Sequence, residues 1–345
     1  MNTIINYDSL WDSFMKCKRG VGWKPTTKCF NLNAPEEILK MHEELASGRW
    51  KNGKPKRIKI LYPKKRDGLS ISFKDRVYQR SINDNVLYPK IQNSFIYDNW
   101  ACQKGKGPDA CRSRIKKWLR SCFIKYGINC YVLHIDIKKY YQNMRHELVE
   151  EKFKRYINED VFKAVKGVLD WQYKGDIGYD PGSQMVQIAG ISFLDDLDHY
   201  LKEKCHLKYY IRYMDDIFIV HHDRNVLKIL LNDIEDKLHK IGLESHEKKT
   251  RIIPLKSGFT FLGFKYRVTN TGKIIMSLNG ENVKHERRKL RRLVRLAKAG
   301  ETTKDKADEC FRGWCNHASK GNSYKLLTRM NKFYKDLWRE TSDAY

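Results

Sequence analysis

The spacing of apolar and polar residues predicts a chain in which many helices alternate with a few short strands. Residues 36–47 have apolar side chains at helical intervals, as expected for a helix with one buried face. Two other stretches, 131–137 and 208–220, are rich in β-branched and aromatic residues, which favour strands. The same reasoning predicts further helices over 75–89, 108–125, 145–170, 184–204, 224–240 and 281–298.

Both strand-like stretches carry carboxylates where a strand is expected to end. The stretch 208–220 is typical of a β-hairpin whose tip holds Asp215 and Asp216, and Asp136 lies near the end of 131–137. A carboxylate beside apolar strands is costly unless it binds a cation or meets a basic group. Each motif alone has a simpler explanation, because turns favour Asp for local hydrogen bonding. Together they predict oxygen ligands for two divalent cations, as phosphoryl transfer requires.

The overall charge points to a polyanionic partner. The 345 residues include 68 basic and 41 acidic side chains, so the formal net charge is 68 − 41 = +27. Such an excess favours nucleic acid, whose binding releases counterions and is therefore sensitive to salt. The 20 Tyr, 14 Phe and 8 Trp residues offer rings on which bases could stack, although most are expected in the core.

Cysteine spacing and hydropathy indicate a soluble protein of the cytoplasm. The nine cysteines are odd in number and form no Cys-x-x-Cys pair, which argues against a disulfide framework or a zinc ribbon. The first residues lack the basic and apolar segments of a signal peptide. No apolar run approaches the length needed to span a bilayer, so no membrane partner is expected.

The chain resembles the reverse transcriptases along most of its length. The similarity is carried by YPKKR at 62–66, FKDRVYQ at 73–79, NWACQKGKG at 99–107, DIKKYY at 136–141, YMDD at 213–216, GLESHEKKT at 242–250 and FLGF at 261–264. The branches it resembles are bacterial and phage enzymes, those of diversity-generating retroelements and those associated with defence.

This resemblance implies an α+β fold, that of a right-hand polymerase. It has fingers, a palm in which an antiparallel sheet packs on helices, and a helical thumb. The expected boundaries are 1–128 for the fingers with an N-terminal extension, 129–275 for the palm and 276–345 for the thumb. Within the palm, a fingers-proximal insertion is expected near 145–185.

The resemblance also assigns the catalytic residues. Asp136, Asp215 and Asp216 are implied to bind two Mg²⁺ ions, with Mn²⁺ as the substitute. Lys249 corresponds to a lysine proposed as general acid to the leaving pyrophosphate; the simpler alternative is a surface lysine.

A second set of residues is implied to bind the incoming deoxynucleotide. Tyr141 matches the aromatic steric gate that would exclude a ribose 2′-hydroxyl, with the neighbouring Tyr140 as the competing candidate. Basic side chains of the fingers and the motif before the long palm helix complete the set, namely Lys64, Arg66, Gly182 and Gln187. Val186 stands where the diversity-generating branch usually has Ser, which puts membership of that branch in doubt.

The expected thumb begins with a strongly basic helix. Five of its residues are predicted to follow the phosphate backbone of a template–product duplex: Lys284, Arg287, Arg288, Arg291 and Arg292. The alternative for such a charge run is a solvated amphipathic helix.

Together these features predict an RNA-directed DNA polymerase that makes cDNA from deoxynucleotides. Its template is expected to be a dedicated structured non-coding RNA, and its setting anti-phage defence or a diversity-generating retroelement. A small accessory protein or a second copy of the chain is a further expected partner. The alternatives are template-independent or protein-primed DNA synthesis by the same palm, for example from Tyr345, and a non-catalytic RNA-binding scaffold.

Overall fold

A computed structural model describes residues 2–60 and 65–339 of the chain, apart from the side chains of Asn2 and Arg66. Helices dominate these residues. In chain order the α-helices are α1 Asn2–Ile5, α2 Tyr7–Cys17, α3 Pro25–Leu32, α4 Ala34–Ala46, α5 Phe73–Ile82, α6 Tyr88–Ile91, α7 Pro108–Tyr126, α8 Tyr140–Asn143, α9 His146–Lys154, α10 Glu159–Gln172, α11 Gln184–Ser192, α12 Asp195–His199, α13 Arg224–Lys240, α14 Gly280–Lys298, α15 Lys304–Ala318 and α16 Tyr324–Arg339.

The strands form three small sheets. They are β1 Lys56–Ile60, β2 Arg66–Ser70, β3 Tyr131–Asp136, β4 Tyr210–Tyr213, β5 Asp216–His221, β6 Arg251–Pro254, β7 Phe259–Phe261, β8 Phe264–Val268 and β9 Ile274–Leu278. β1 and β2 form an antiparallel pair, and β7, β8 and β9 form an antiparallel sheet in that order. The four-stranded sheet has the order β4-β5-β3-β6, and β3 pairs antiparallel with β6, Val132 opposite Ile253.

Several predicted helices have the expected extent, but three are interrupted. The stretch 145–170 divides into α9 and α10, because the Asn158 side chain accepts a hydrogen bond from Val161 N and so begins a new helix. The stretch 184–204 is broken after Ser192, whose buried hydroxyl donates to the carbonyl of Ala189 at 3.1 Å. Such back-bonding competes with the helical ladder and bends helices.

The predicted helix 75–89 also differs from expectation near its end. α5 passes into a π-helical turn at Asn83–Leu87 before α6 resumes. Pro89 lies at the start of α6. Because proline has no N–H to donate, a regular α-helical ladder cannot continue through it. The wider π turn accommodates this break.

The described residues divide into two compact units. The first comprises 1–107, 135–218 and 229–250 as far as they are described, and the second 108–134, 219–228 and 251–345. In the first unit, α2, α3 and α5 pack through the rings of Phe14, Phe30 and Phe73, whose centroids lie 5.1–6.2 Å apart. Edge-on packing of this kind adds to the burial of apolar area.

The second unit has its own core between the last sheet and the last three helices. Leu290 and Val294 of α14 are buried, as are Phe311 of α15 and Tyr334 of α16. The Phe311 and Tyr334 rings lie 4.5 Å apart. The expected division into fingers, palm and thumb stays a prediction, since the two units cut the chain at other places. Across the described ranges, no helix combines the length and the hydropathy needed to cross a bilayer.

Candidate active site

The hairpin β4–β5 presents the Asp215-Asp216 pair at its tip. Its flanking residues Ile211 and Ile217 are fully buried, so apolar packing fixes the register of the two strands. Met214 adopts a left-handed backbone conformation, with φ of 56°. A non-glycine residue with positive φ stores strain, which persists only where its surroundings hold it. The turn therefore has one defined shape, and it positions Asp215.

Backbone hydrogen bonds bring the end of β3 to this turn. Ile137 N donates to the carbonyl of Asp215 at 3.2 Å, and His246 N donates to the carbonyl of Asp136 at 2.7 Å. Lys139, just after β3, also has a positive φ, of 48°. The two carboxylate motifs, 79 residues apart in the sequence (215 − 136), thus meet in one place.

The electrostatics of the site favour a bound cation. Burial raises the pKa of Asp215 to about 6, and the charges of Asp216 and Asp136 act in the same direction. Lys249 Nζ lies 2.7 Å from Asp136 Oδ1 and forms an ion pair with it. Like-charged carboxylates held together are relieved by a cation between them. Lys249 offsets part of the repulsion, and a divalent ion would offset more.

The carboxylates of the site are suited to a divalent cation that other ligands bind as well. Within the described ranges, no three His, Cys, Asp or Glu side chains are grouped so that they alone could hold an ion. Mg²⁺ is commonly bound by one or two carboxylates, with phosphate oxygens and waters completing the octahedron. Asp136 and Asp215 supply that number of carboxylates, and the charge of Asp216 acts on Asp215.

Tyr140 and Tyr141 have different environments. Tyr140 is buried, with only 2% of its surface exposed, and its hydroxyl donates to the carbonyl of Gly190 at 2.6 Å. Tyr141 is half-buried, and its hydroxyl lies 3.5 Å from Met214 Sδ. A Cβ on Gly190 would come within 2.8 Å of the Tyr141 hydroxyl oxygen, so glycine is needed there for the ring to fit. The half-buried ring beside the turn at Met214 and Asp215 is therefore Tyr141.

A comparison with protein families identifies the chain. Residues 64–266, more than half of the chain, match the family model described as "Reverse transcriptase (RNA-dependent DNA polymerase)". The chain belongs to the reverse transcriptase family. The predicted fold class is confirmed: helices and antiparallel sheets in an α+β arrangement.

Solved structures with similarity to this family member include three telomerase structures. Telomerase from Candida tropicalis, truncated from its C-terminal domain, matches with a TM-score of 0.48 and 13% identity, covering 66% of this chain and 55% of its own. Candida albicans telomerase in complex with a fragment of telomeric RNA matches with a TM-score of 0.47 and 13% identity, covering 66% of this chain and 45% of its own. Apo Candida tropicalis telomerase matches with a TM-score of 0.47 and 14% identity, covering 72% of this chain and 52% of its own. The chain thus spans about half the length of these telomerase chains. A comparison with curated proteins gave no match.

The residues assigned to the deoxynucleotide are only partly described. Lys64 and the Arg66 side chain lie outside the described residues. A Cβ on Gly182 would come 2.1 Å from the carbonyl oxygen of Leu69, so only glycine allows β2 to approach here. Gln187 is exposed on α11, whereas Val186 is buried. The residue that departs from the family pattern therefore belongs to the core, and the roles of Gly182 and Gln187 stay predictions.

The basic helix α14 presents its charges in two groups. Arg288, Arg291 and Arg292 are exposed, and Lys284 forms an ion pair with Glu281 at 3.2 Å. Arg291 and the half-buried Arg287 also lie over the ring of Phe333, with distances of 5.2 and 5.3 Å to its centroid. The guanidinium groups and aliphatic stems of Arg287 and Arg291 therefore pack α14 against α16. Phosphate contact, still a prediction for all five, is best supported for Arg288 and Arg292.

The sequence did not predict the ion pair behind the hairpin. Arg212 and Asp198 are both completely buried, and Arg212 Nη2 lies 2.6 Å from Asp198 Oδ2. Arg212 Nη1 also donates to the carbonyl of Met214 at 3.1 Å. The Arg212 side chain therefore holds the carbonyl of the strained residue that precedes Asp215. A charged residue within the apolar run 208–220 was the available signal, because a buried arginine requires a partner.

Proposed function

We propose that the chain is an RNA-directed DNA polymerase that copies RNA into cDNA by two-metal nucleotidyl transfer. The observation that carries this proposal is the junction of the two carboxylate motifs, where Ile137 N donates to the carbonyl of Asp215. This hydrogen bond supports the assignment of Asp136 and Asp215 to one site, in a chain of the reverse transcriptase family.

In this mechanism the protein's own contribution is positioning and charge. Asp136 and Asp215 are the principal carboxylates that would hold the two Mg²⁺ ions, with Asp216 of the hairpin as the third. Those ions, when bound, supply activation of the primer 3′-hydroxyl and neutralisation of the triphosphate. The hydrogen bond from Arg212 to the Met214 carbonyl keeps Asp215 in place. Lys249 is partly exposed, and its ion pair with Asp136 keeps its ammonium group at the site. That group is assigned as the acid that donates a proton to the leaving pyrophosphate.

Sugar selection is assigned to Tyr141. Its ring is fixed between Gly190 and Met214, next to the catalytic turn. A fixed ring below the incoming sugar would collide with a 2′-hydroxyl and would accept a deoxyribose. Tyr140, buried beneath with its hydroxyl on the Gly190 carbonyl, supports this arrangement from the core.

The template is proposed to be a dedicated structured RNA, in anti-phage defence or in a diversity-generating retroelement. The net charge of +27 supports binding to a long polyanion. Val186 favours defence, because the motif of the diversity-generating branch is altered there. A small accessory protein or a second copy of the chain is the further proposed partner.

Primer extension with the purified protein tests the proposal. The assay supplies an RNA template, a DNA primer, the four deoxynucleotides and Mg²⁺, and compares wild type with Asp215→Asn and with Asp236→Asn. Asp236 is an exposed residue of α13, so its replacement is a control with the same change of charge. We expect template-dependent DNA from wild type and from Asp236→Asn, and none from Asp215→Asn.

The rival functions give other products in the same assay. DNA made without the RNA template would indicate template-independent synthesis, and DNA covalently attached to the protein would indicate protein priming. Tyr345, the candidate primer residue, lies outside the described residues. Equal product from wild type and Asp215→Asn would contradict the assigned site. No product from wild type, together with retained RNA binding, would favour a scaffold.

A further inference from the structure

The first compact unit contains a cavity that the proposed chemistry does not use. Its volume is about 610 Å³, within the range of small-molecule sites. It is lined by residues around β1 and β2, by Gln142 of α8, and by the end of α10 with the loop that follows, among them Lys54, Arg57, Trp171, Gln172 and Tyr173. None of Asp136, Tyr141, Asp215 or Asp216 lines it.

One side of the cavity offers positive charge without partners. Lys54 and Arg57 are both exposed, and neither forms an ion pair with another described residue. Lys174 also lines the cavity, but its Nζ has partners: it donates to the carbonyl of Asp170 at 3.1 Å and lies over the Trp171 ring, 5.8 Å from the centroid. Asp67 and Asp180 line it as well, which lowers the net charge and provides acceptors for hydroxyl groups. Unpaired ammonium and guanidinium groups suit phosphate oxygens.

A second side offers aromatic rings. Trp171 is 43% exposed, while its Nε1–H donates to the carbonyl of Gly53 at 3.1 Å and so fixes the ring. Tyr173 and Tyr179 also line the cavity, with their rings edge to face at 5.0 Å. Every nucleobase has a π face, and a fixed indole beside open space is a surface on which a base can stack.

A buried amide between these two sides lacks a partner. Gln172 lines the cavity, is only 8% exposed, and its Oε1 has no hydrogen-bond partner among the residues described. A buried polar atom without a hydrogen-bond partner is destabilising. A half-turn about the last side-chain bond exchanges the amide oxygen and nitrogen. Gln172 can therefore offer either a donor or an acceptor to the edge of a base in the cavity.

We propose that this cavity is a second nucleotide-binding site, separate from the polymerase centre. The base stacks on Trp171 and meets the amide of Gln172, while the phosphate lies against Lys54 and Arg57. Two sources share this chemistry: a free nucleoside phosphate, and an unpaired nucleotide of a bound RNA. The site goes beyond the proposed function, because nothing in its lining takes part in the transfer reaction.

Equilibrium binding to the full-length protein tests this site. All variants carry Asp215→Asn and are measured in EDTA, so that the metal-dependent polymerase centre does not contribute. The probes are fluorescently labelled ATP and a short unstructured RNA, with tripolyphosphate as a competitor that has no base. The variants are Trp171→Ala, Gln172→Leu and Trp171→Phe, each checked for folding by thermal unfolding.

Trp23→Ala is the matched control. Trp23 is 70% exposed, its Nε1–H donates to the carbonyl of Gly20 at 3.3 Å, and Lys24 Nζ lies 5.7 Å from its ring. These local contacts mirror those of Trp171, but Trp23 does not line the cavity. A non-specific loss of one exposed indole would therefore affect both tryptophan variants equally.

We expect Trp171→Ala to weaken binding about tenfold, since one stacked base is worth about 1–3 kcal/mol. Gln172→Leu should weaken it several-fold, and Trp171→Phe and Trp23→Ala should bind like the parent. If this pattern holds for ATP, the ligand is a free nucleotide; if it holds for RNA alone, the ligand is an unpaired nucleotide of the RNA. The proposal is overturned if neither probe binds, or if Trp171→Ala and Gln172→Leu bind as Trp23→Ala does. Primer extension is not the readout, so a failure here leaves the polymerase proposal standing.

Discussion

Replacing Arg212 by Gln should remove two contributions of this side chain. Arg212 stabilises the folded protein through Asp198, and it positions the turn that carries Asp215 through the carbonyl of Met214. Arg212 Nε donates to Asp198 at 2.8 Å and 3.0 Å, and Nη2 donates to Asp198 and to the carbonyl of Ile191 at 2.6 and 2.7 Å. Tyr210 adds a further hydrogen bond to the same carboxylate. Burial acts to lower the pKa of Arg212, but the Asp198 carboxylate outweighs it and raises that pKa. Arg212 is thus held in its charged form.

The expected magnitude follows from leaving Asp198 buried without its cation. Removing one partner of a buried ion pair typically destabilises a protein by about 3–5 kcal/mol. Arg212→Gln also releases the carbonyl of Met214, so the turn that carries Asp215 can shift. A misplacement of about 1 Å at a reacting centre can lower the rate by about 100-fold. We therefore expect a large loss of kcat in the fraction of Arg212→Gln that remains folded.

The assay measures urea unfolding and single-turnover primer extension per folded molecule, at a temperature where all variants are folded. Ile38→Ala is the control, because Ile38 is fully buried in α4 and its truncation should destabilise by a similar amount, about 2–5 kcal/mol. Ile38→Ala should keep its kcat. The Mg²⁺ concentration for half-maximal rate should rise in Arg212→Gln alone.

A double variant separates the two effects. Asp198→Asn combined with Arg212→Gln removes the uncompensated charge, so much of the stability should return. The Met214 carbonyl remains without its guanidinium donor, so kcat should stay low. The reasoning is refuted if Arg212→Gln keeps wild-type kcat when folded, or if the double variant recovers activity together with stability.

Three further predictions concern the gate, a buried carboxylate and the basic helix. Tyr141→Ala should incorporate ribonucleotides more readily, whereas Tyr140→Phe should not; unchanged sugar selectivity of Tyr141→Ala in competition assays would remove Tyr141 as the gate. Burial raises the pKa of Asp195 from 3.8 to about 6, so the folded state binds this proton more tightly and stability falls as pH rises between about 4 and 6. Asp195→Asn should flatten that slope in urea unfolding and stabilise the protein at pH 7 by at most about 3 kcal/mol; an unchanged slope would show that Asp195 titrates normally. Arg288→Ala with Arg292→Ala should reduce the salt dependence of duplex binding by about two phosphate contacts, while Arg287→Ala with Arg291→Ala, which lie over Phe333, should lower the melting temperature more; equal salt slopes for the two pairs would contradict this division.

Local patterns were sufficient to predict the strands that carry the paired carboxylates and several of the helices. The run 208–220 alternates around an acidic turn, and both its strands and its turn lie where the pattern put them, at Tyr210–Tyr213 and Asp216–His221. The helix predicted over 224–240 is α13, with the same bounds. These elements follow from neighbours in the sequence, which is why periodicity detects them.

The features that periodicity missed depend on distant partners or on single side chains. The interruption after Ser192 results from one hydroxyl bonding to Ala189, a choice that composition does not determine. The Asp198 partner of Arg212 lies on a different element, so only the need for a partner could be foreseen and not its identity. The different environments of Tyr140 and Tyr141 depend on Gly190, which lies on α11, about fifty residues away along the chain.

The most direct test of the central claim is to sequence the nucleic acid that copurifies with the protein from cells. Wild type and Asp215→Ala are purified in parallel, and each sample is treated with RNase or with DNase before sequencing. The account predicts one defined RNA with both proteins, and DNA complementary to that RNA with wild type alone. The same DNA with both proteins, or with neither, would contradict templated cDNA synthesis at Asp215.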